Sequence, residues 1–364
     1  MRFPGFEGEW DKLKVRDFTR VVAGATPATD KKEYWGGVIR WMNSGELNLK
    51  RVYEVQGRIT QLGYDKTSTK IIPPHSVLIG LAGQGKTRGT AAMNYVELCT
   101  NQSIASILPS DSFYSEFLYQ NVESRYKELR DISSGDGGRG GLNLQMIYNL
   151  YIPHCSMQEQ KKIGDFLYLL DQRIAIQNKV IEKYESLIKA LAHEIIGKNA
   201  PNTMLSECVC CTSSTLKESD LSDAGAVPAY GAAGISGFID SALSDGDSIL
   251  ITKDGSGVGS LRYVVGHHSF VGTLNSMTPK EGVYLPYIYY ALQNVCFESY
   301  RTGQAIPHIY FKDYGKEALY CPSFDDQKRL AKGLEMIDAK IGIERAAIQN
   351  LQLVKAYLLS AMFI

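Results

Sequence analysis

The sequence predicts an α+β protein in which two similar mixed domains are each followed by one long coiled-coil helix. Three features of the 364-residue chain support this prediction: an internal repeat, two long heptad patterns, and short apolar runs between turn-forming residues. Because 44% of the residues are hydrophobic and 21% are charged, the chain has enough apolar material for more than one buried core.

The internal repeat is clearest where each long helix is expected to begin. Residues 156–163 resemble residues 323–330, which lie 167 positions later. A second shift, of 173 positions, aligns residues 120–122 with residues 293–295. Small insertions and deletions in loops produce a difference of this size between two shifts. We therefore interpret the chain as two copies of one unit, each a turn-rich region followed by a long helix.

Each long helix has a predicted start and a predicted buried seam. Ser156 with Glu159, and Ser323 with Asp326, match the pattern of a hydroxyl cap and a carboxylate three positions later. Apolar residues then recur at alternating steps of four and three, which is typical of a coiled coil. The seam residues are Ile163, Leu167, Leu170, Ile174 and Ile181 in the first helix, and Leu334, Ile337, Ile341, Ile348 and Leu351 in the second.

Both seams contain a polar residue at the equivalent position, Gln177 in the first helix and Glu344 in the second. A polar residue at one seam position can fix the register of a coiled coil at some cost in stability. Two ordinary core helices are the alternative. A helix over residues 157–197 would be roughly 60 Å long, however, which exceeds typical globular helices and favours the paired seam.

The regions before the helices contain strand-like segments. Short apolar runs at residues 77–81, 104–108, 248–252 and 261–265 are bounded by Gly, Pro, Asp and Ser, which is typical of strands. We therefore expect four parts of the chain: a first mixed domain at residues 1–155, a first long helix at 156–198, a second mixed domain at 199–322, and a second long helix at 323–364.

The charge of the chain is balanced overall but unevenly distributed. Lys plus Arg and Asp plus Glu each number 39. Residues 1–96 contain 15 basic and 9 acidic side chains, whereas residues 201–324 contain 7 basic and 12 acidic ones. A protein that binds nucleic acid without help usually has a basic surface throughout. A chain with this distribution would have to bind such a ligand locally or share the binding with partners.

Composition also indicates the cellular compartment of the protein and whether it binds a metal or a cofactor. Seven cysteines, an odd number in a chain without an apolar leader, argue against a secreted disulfide scaffold and favour the cytoplasm. No run of 18 or more apolar residues predicts a membrane span. The CxxC pair of Cys208 and Cys211 has no second pair at a zinc-ribbon spacing, so we expect no metal and no cofactor.

One segment, Gly80 to Thr87, fits the spacing of a phosphate-binding loop. The aligned segment of the second copy, residues 251–259, keeps the glycines but lacks the final Lys and Thr. Arg88 and Gly89 are also a poor start for the helix that should follow such a loop. We favour a tight connection between strands, and a nucleotide hydrolase that uses Gly80–Thr87 is the alternative.

Several stretches of the chain, together with the duplicated heptad unit, resemble the specificity (S) subunit of type I restriction-modification systems. The resemblance covers nearly the whole chain. It is found at residues 2–6 with Trp10, at 24–27, 34–47, 100–104, 228–240 and 248–259, and at Gly303, Gln304, His308, Pro322 and Gln327.

The resemblance implies a DNA-recognition chain without catalytic activity. In that family two target recognition domains each read one half of a bipartite, asymmetric site on double-stranded DNA. Two antiparallel coiled-coil helices join the domains with pseudo-twofold symmetry and set the spacing of the half-sites. Two methyltransferase subunits dock on this frame, and restriction subunits with motor and nuclease activity are further partners. Methyl transfer, ATP hydrolysis and cleavage belong to those partners.

Candidate DNA-contacting residues are polar side chains close to glycine-rich turns or to paired tryptophans. They are Arg40, Asn43, Gln84, Lys86, Arg88 and Arg139 in the first domain, and Lys253, Ser256, Gln304 and His308 in the second. Such groups can bond phosphates or base edges. For Arg40 and Asn43, beside Trp35 and Trp41, core packing next to a solvated loop is an equal alternative. A coiled-coil adaptor without DNA contact is a further alternative for the whole chain.

Overall fold

The computed structural model describes residues 2–83, 85–133, 141–303 and 306–363. The chain divides into two compact units. Unit 1 contains Met1–Ile176 and Ile348–Ile364, and unit 2 contains Gln177–Ala347. Both long helices are thus shared between the units, because each unit boundary lies within a helix. The domain bounds at residues 155, 198 and 322 stay a prediction.

The first globular region lies in unit 1 and combines three small sheets with short helices. Its five-stranded sheet has the order β2-β9-β6-β7-β4, a three-stranded sheet has the order β5-β3-β8, and β1 pairs with β10. The elements are β1 Asp11–Lys14, α1 Val15–Phe18, β2 Val21–Ala23, β3 Trp35–Met42, β4 Arg51–Val52, β5 Arg58–Ile59, α2 Gln61–Asp65, β6 Val77–Gly80, β7 Ala91–Asn94, β8 Cys99–Thr100, β9 Ile104–Ile107, α3 Ser115–Ser124, α4 Tyr126–Ile132, α5 Leu144–Tyr148 and β10 Tyr151–His154.

The five-stranded sheet is buried on both faces. Successive strand side chains point to opposite faces, so Val77 and Ile79 pack with α3, whereas Leu78 packs on the other side with Leu47 and Val52. All four residues of β6 are buried. A strand covered on both faces has a continuous apolar run, which is why the sequence pattern at residues 77–81 identified it correctly.

The second globular region lies in unit 2 and has a similar mixture of sheets and short helices. Its sheets have the orders β12-β18-β15-β16, β14-β13-β17 and β11-β19. The first long helix, α6, spans Met157–Ala192, and a π-helical turn continues it over His193–Gly197. The elements that follow are β11 Thr203–Met204, α7 Leu205–Cys208, β12 Val209–Ser213, β13 Val227–Gly231, β14 Gly234–Ile239, β15 Ser248–Thr252, β16 Leu261–Val264, β17 Ser269–Phe270, β18 Leu274–Pro279, α8 Leu285–Ala291, α9 Phe311–Tyr314, β19 Ala318–Leu319 and the second long helix, α10, Phe324–Met362.

Both long helices begin directly after the predicted cap residues. The Ser156 hydroxyl accepts from the Glu159 amide at 3.3 Å, and the Ser323 hydroxyl accepts from the Asp326 amide at 3.4 Å. The cap pattern also predicts that the Glu159 carboxylate bonds an amide of the first helical turn, whereas the structure gives it another partner. It binds the guanidinium of Arg2 at 2.6 and 2.7 Å, because a charge-assisted, two-pronged contact is stronger than a bond to one amide.

The long helices run antiparallel. Asp171 of α6 contacts Lys355 of α10, whereas the later Gln177 contacts the earlier Glu344. The side-chain amide of Gln177 donates to the Glu344 carboxylate at 3.1 Å, so the two polar seam positions bind each other. No predicted seam residue is exposed: Ile163, Leu167, Ile181, Leu334, Ile341 and Ile348 are buried, and Leu170, Ile174, Ile337 and Leu351 are half-buried.

Candidate functional site

The segment that resembles a phosphate-binding loop is the turn of a β-hairpin. β6 pairs antiparallel with β7, with Val77 opposite Met93 and Ile79 opposite Ala91. The element that follows Thr87 is therefore a strand. A phosphate loop requires a helix whose first amides face the phosphates. The hairpin contradicts the nucleotide-hydrolase alternative for Gly80–Thr87, because the glycine spacing is used for a tight turn.

Unit 2 contains an equivalent hairpin between β15 and β16. The Gly89 amide donates to the Gly80 carbonyl at 2.9 Å, and the Gly259 amide donates to the Thr252 carbonyl at the same distance. Gly89 and Gly259 have φ angles of 81° and 85°, which favour glycine. We call residues 81–83 and 85–90 turn 1, and residues 253–260 turn 2. The repeat thus extends from the helices to the turns that carry candidate residues.

Turn 1 is held against the helix α4. Arg130 donates to the carbonyl of Gly85 at 2.6 Å, and the Tyr126 hydroxyl donates to the carbonyl of Lys86 at 3.2 Å. The Lys86 side chain is exposed, whereas Arg88 is half-buried. Lys86 is therefore a cation on a supported turn, a position suited to phosphate contact. Gln84 and Arg139 lie outside the described residues.

Arg40 and Asn43 both have partners within unit 1. Arg40 of β3 and Arg58 of β5 bind the same carboxylate, Glu54, at 2.9 and 2.8 Å. The hydrogen bond from Arg40 lowers the pKa of Glu54 to about 2. Asn43 caps the 3₁₀ helix Ser44–Leu49 by accepting from the Gly45 amide at 2.8 Å. This cap gives Asn43 a structural role, and a base contact by its Oδ1 would compete with the Gly45 amide.

In unit 2 the fold brings three predicted residues together. Turn 2 carries Lys253 and Ser256, and the segment with His308 lies against it. The carbonyl of Lys253 accepts from the Ile309 amide at 2.9 Å, and the Gly255 amide donates to the Pro307 carbonyl at 2.9 Å. Ser256 is exposed and His308 is half-exposed. Gln304 lies outside the described residues.

A pair of glutamines attaches each globular region to its long helix, a role that was not predicted from the sequence. Gln160 accepts from the Tyr114 amide at 2.9 Å and donates to the carbonyl of Cys155 at 2.9 Å. Gln327, 167 residues later, accepts from the Tyr284 amide at 2.8 Å and donates to the carbonyl of Pro322 at 2.9 Å. Both side chains are buried. Their presence in the first turn of both helices was the available signal.

Sequence reasoning also missed an ionic cluster in unit 1. The Arg51 guanidinium binds Glu116 at 2.7 Å and Asp171 at 2.9 Å, and Lys355 binds Asp171 at 2.5 Å. Burial alone would lower the pKa of Arg51. The hydrogen bond and charge of Glu116 outweigh that effect and raise the pKa. The cluster links β4, α3 and both long helices.

Among the residues that the structure describes, the cysteines of unit 2 belong to no group that could hold a metal ion. Cys208 is buried, whereas Cys210 on β12 is exposed. In the described ranges, no group of three or more His, Cys, Asp or Glu side chains is arranged to hold a metal ion. The same ranges contain no helix with the length and apolar character needed to cross a membrane.

A known protein family matches most of the chain. The sequence model described as the type I restriction modification DNA specificity domain matches residues 7–186 and again residues 209–353. The two matches correspond to the two copies of the repeat.

Curated relatives match one part of the chain. The MjaIX specificity subunit of Methanocaldococcus jannaschii is 33% identical over 183 residues, which are 48% of this chain and 41% of the relative. The EcoR124I/EcoR124II specificity subunit of Escherichia coli is 22% identical over 50% of this chain and 48% of the relative. The HindI specificity subunit of Haemophilus influenzae is 29% identical over 37% of this chain and 29% of the relative. The chain is thus aligned to less than half the length of each relative.

Solved structures with the same fold match the chain from end to end. The type I restriction-modification S subunit of M. genitalium superposes with a TM-score of 0.65 at 19% identity, covering 100% of this chain and 99% of that one. A chain from a structural study of type I R-M complex assembly and conformational transition gives a TM-score of 0.53 at 15% identity, with 98% of both chains covered. These likenesses establish the fold.

Proposed function

The chain belongs to the family of type I restriction modification DNA specificity domains, and from this premise we propose that it is the DNA-reading, non-catalytic subunit of a type I restriction-modification complex. Each globular region is a target recognition domain for one half of a bipartite, asymmetric site on double-stranded DNA. Methyl transfer and, where restriction subunits join, ATP-driven cleavage are carried out by the partners. A complex that reads chromosomal DNA would act in the cytoplasm.

The duplication of the recognition unit is the observation that carries this proposal. The family domain occurs twice, and Gln160 and Gln327 attach both copies to their helices through matching hydrogen bonds. Two recognition domains on one chain match a DNA site with two halves. The two regions differ in charge, since basic side chains outnumber acidic ones by 15 to 9 in residues 1–96, whereas acidic side chains outnumber basic ones by 12 to 7 in residues 201–324. Different surfaces favour different half-sites, and therefore an asymmetric target.

We propose that the long helices set the gap between the half-sites. At about 1.5 Å per residue, the 36 residues of α6 extend over roughly 54 Å. The buried seam and the Gln177–Glu344 hydrogen bond fix the register of α6 against α10. A rod with a fixed register is a suitable spacer, because its length does not vary between molecules.

Exposed apolar side chains on the long helices support the docking of two methyltransferase subunits. We call these residues the helix stripe: Leu169, Ile176 and Leu187 on α6, and Met336, Ile343 and Val354 on α10, each 43–67% exposed. Steps of 7 and 11 residues return to the same face of a helix. The residues of α10 lie 167 positions after those of α6. Exposed apolar patches mark interaction sites, and two equivalent patches suit two copies of one partner.

The proposal is tested by mapping methylated bases. The chain is co-expressed with its methyltransferase subunit in a host without other methyltransferases, and the genome is sequenced for modified bases. We expect one bipartite motif with a fixed gap. A continuous motif, or methylation without sequence preference, contradicts the proposal. As a control, exchanging residues 199–322 for the second domain of a relative should change one half of the motif only.

A further inference from the structure

β3 contains a bulge that exposes an apolar side chain. Trp35 and Ile39 of β3 are both opposite Ile59 of β5, so the three residues between them leave the ladder. Val38 lies in this bulge, and 88% of its surface is exposed, the largest value among the large hydrophobic residues described. Bulges commonly redirect a side chain near a functional site.

The backbone of the bulge is fixed by glycines and by an aromatic pair. Gly36 has a φ angle of 79°, which side chains rarely adopt. A Cβ on Gly37 would lie 2.4 Å from the Ile59 carbonyl oxygen, so the strand must approach β5 closely here. Trp35, which starts the bulge, packs edge-on against Trp41 with ring centroids 5.0 Å apart. Val38 is thus held outward by ordered neighbours.

The strands beside the bulge carry a net positive charge. Arg40 of β3 lies directly opposite Arg58 of β5. Both guanidinium groups share one carboxylate, Glu54, which leaves one positive charge in excess. Arg40 follows Val38 by two positions and lies just beyond the end of the bulge, where the ladder with β5 resumes. An apolar side chain beside cations suits duplex DNA, because the phosphates border a major groove in which thymine presents an apolar methyl group.

We propose that Val38 contacts the C5-methyl group of a thymine in the major groove of the first half-site. This inference rests on the proposed DNA-reading function and adds a residue and a base group to it. The thymine methyl is the apolar feature of the major-groove edge, and aliphatic side chains recognise it by contact. Arg40 and Arg58 then lie towards the sugar-phosphate backbone and orient the bulge.

Deoxyuridine substitution tests this contact, because it removes the methyl group and nothing else. The complex of the full chain with its methyltransferase subunits is titrated with duplexes in which each thymine of the first half-site is replaced in turn. We expect one position to lose about fourfold in affinity, the fold-change expected for one buried methyl group. With Val38→Ala, thymine and uracil at that position should bind equally. Ile132→Ala, at another exposed aliphatic residue of unit 1, should keep the fourfold difference.

Three outcomes overturn the inference. The first is a half-site without any methyl-sensitive thymine. The second is a Val38→Ala complex that keeps the full preference for thymine. The third is a Val38→Ala chain that binds less methyltransferase while its DNA preference is unchanged, which would make Val38 a protein-docking residue. In each case a retained bipartite motif leaves the proposed function intact, whereas loss of all sequence preference in the wild-type complex contradicts that function itself.

Discussion

Lys355 donates a hydrogen bond to Asp171 over 2.5 Å, although the two residues are 184 positions apart. Arg51 and Gln120 bind the other oxygen of the same carboxylate, at 2.9 and 2.7 Å. One carboxylate therefore joins both long helices to a strand and a helix of the first globular region. The equivalent residue of the second copy, Asp338, accepts from the Tyr290 hydroxyl at 2.9 Å and lines a cavity of about 440 Å³.

Replacing Asp171 is expected to destabilise unit 1. In Asp171→Ala, Lys355 loses one of its carboxylate partners and Arg51 loses one as well, while both remain largely buried. Breaking a buried ion pair from one side costs about 3 kcal/mol or more. Urea-induced unfolding followed by circular dichroism measures this loss. Glu298→Ala, which breaks an exposed pair with Arg301, is the control and should change stability by less than about 1 kcal/mol. If the two substitutions lowered the free energy of unfolding equally, the ionic cluster would not be a special source of stability.

Asp338 should respond to substitution in the opposite direction. Burial raises its pKa, although the Tyr290 hydrogen bond and the charge of Arg345 oppose the rise. A carboxyl group whose folded pKa is raised binds its proton more tightly in the folded state. Its stabilising contribution is therefore complete below the unfolded pKa and is lost as pH rises through the folded pKa. We expect Asp338→Asn to be more stable than the wild type at pH 7, with a smaller difference at pH 3.5.

The pH comparison needs thermal unfolding curves of both proteins at several pH values. Glu185 and Arg345 also line the cavity beside Asp338, and they bind each other at 2.5 Å. The charge of Arg345 lowers the pKa of Asp338 and the charge of Glu185 raises it, so the two partners act on the carboxylate in opposite directions. A wild type that is more stable than Asp338→Asn at pH 7 would show that the ionised carboxylate is favourable in this cavity.

Gln160 and Gln327 should be equally sensitive to truncation. Each side chain bonds backbone groups at the junction of a globular region and its helix. Removing it takes the partner from an amide and a carbonyl at a partly buried junction, at a cost of about 1 to 3 kcal/mol. We expect Gln160→Ala and Gln327→Ala to lower the unfolding free energy by similar amounts. Gln158→Ala, an exposed residue of the same helix turn, should have little effect. If only one of the two variants lost stability, the two glutamines would not have equivalent roles.

The helix stripe predicts how many partner subunits bind. A charge at Ile176 or at Ile343 would have to be desolvated in an apolar contact. Ile176→Glu and Ile343→Glu should therefore each reduce the bound methyltransferase from two copies to one, and the double substitution should remove both. Native mass spectrometry counts the copies. Asn178→Glu, at an exposed polar position of α6, should keep two. Two copies bound to the double variant would exclude the stripe as the docking surface.

Local patterns made much of the fold predictable from sequence. The caps at Ser156 and Ser323, the heptad seams, and the strands at residues 77–80 and 248–252 each depend on neighbours a few positions apart. The glycine-rich segment at residues 80–87 was ambiguous, because the same spacing serves a phosphate loop or a hairpin. Only the pairing of β6 with β7 distinguishes the two.

The residues whose roles could not be predicted from sequence depend on distant partners. Asp171 acquires its role from Arg51 and Lys355, which lie 120 and 184 positions away. The exposure of Val38 depends on the register of β3 against β5, which no local pattern encodes. Asn43 was proposed for DNA contact because it is polar and close to tryptophans, yet its side chain caps a helix. The sequence shows which polar side chains lie near a turn, but the contacts that they make in the folded chain determine their roles.

We infer that the paired helices set the distance between two reading surfaces. Inserting one heptad at equivalent positions of α6 and α10 lengthens the pair by about 10 Å, or about three base pairs of DNA. Sequencing of modified bases should then report the same two half-sites with a gap about three base pairs longer. An unchanged gap, or altered half-site bases, would contradict the claim.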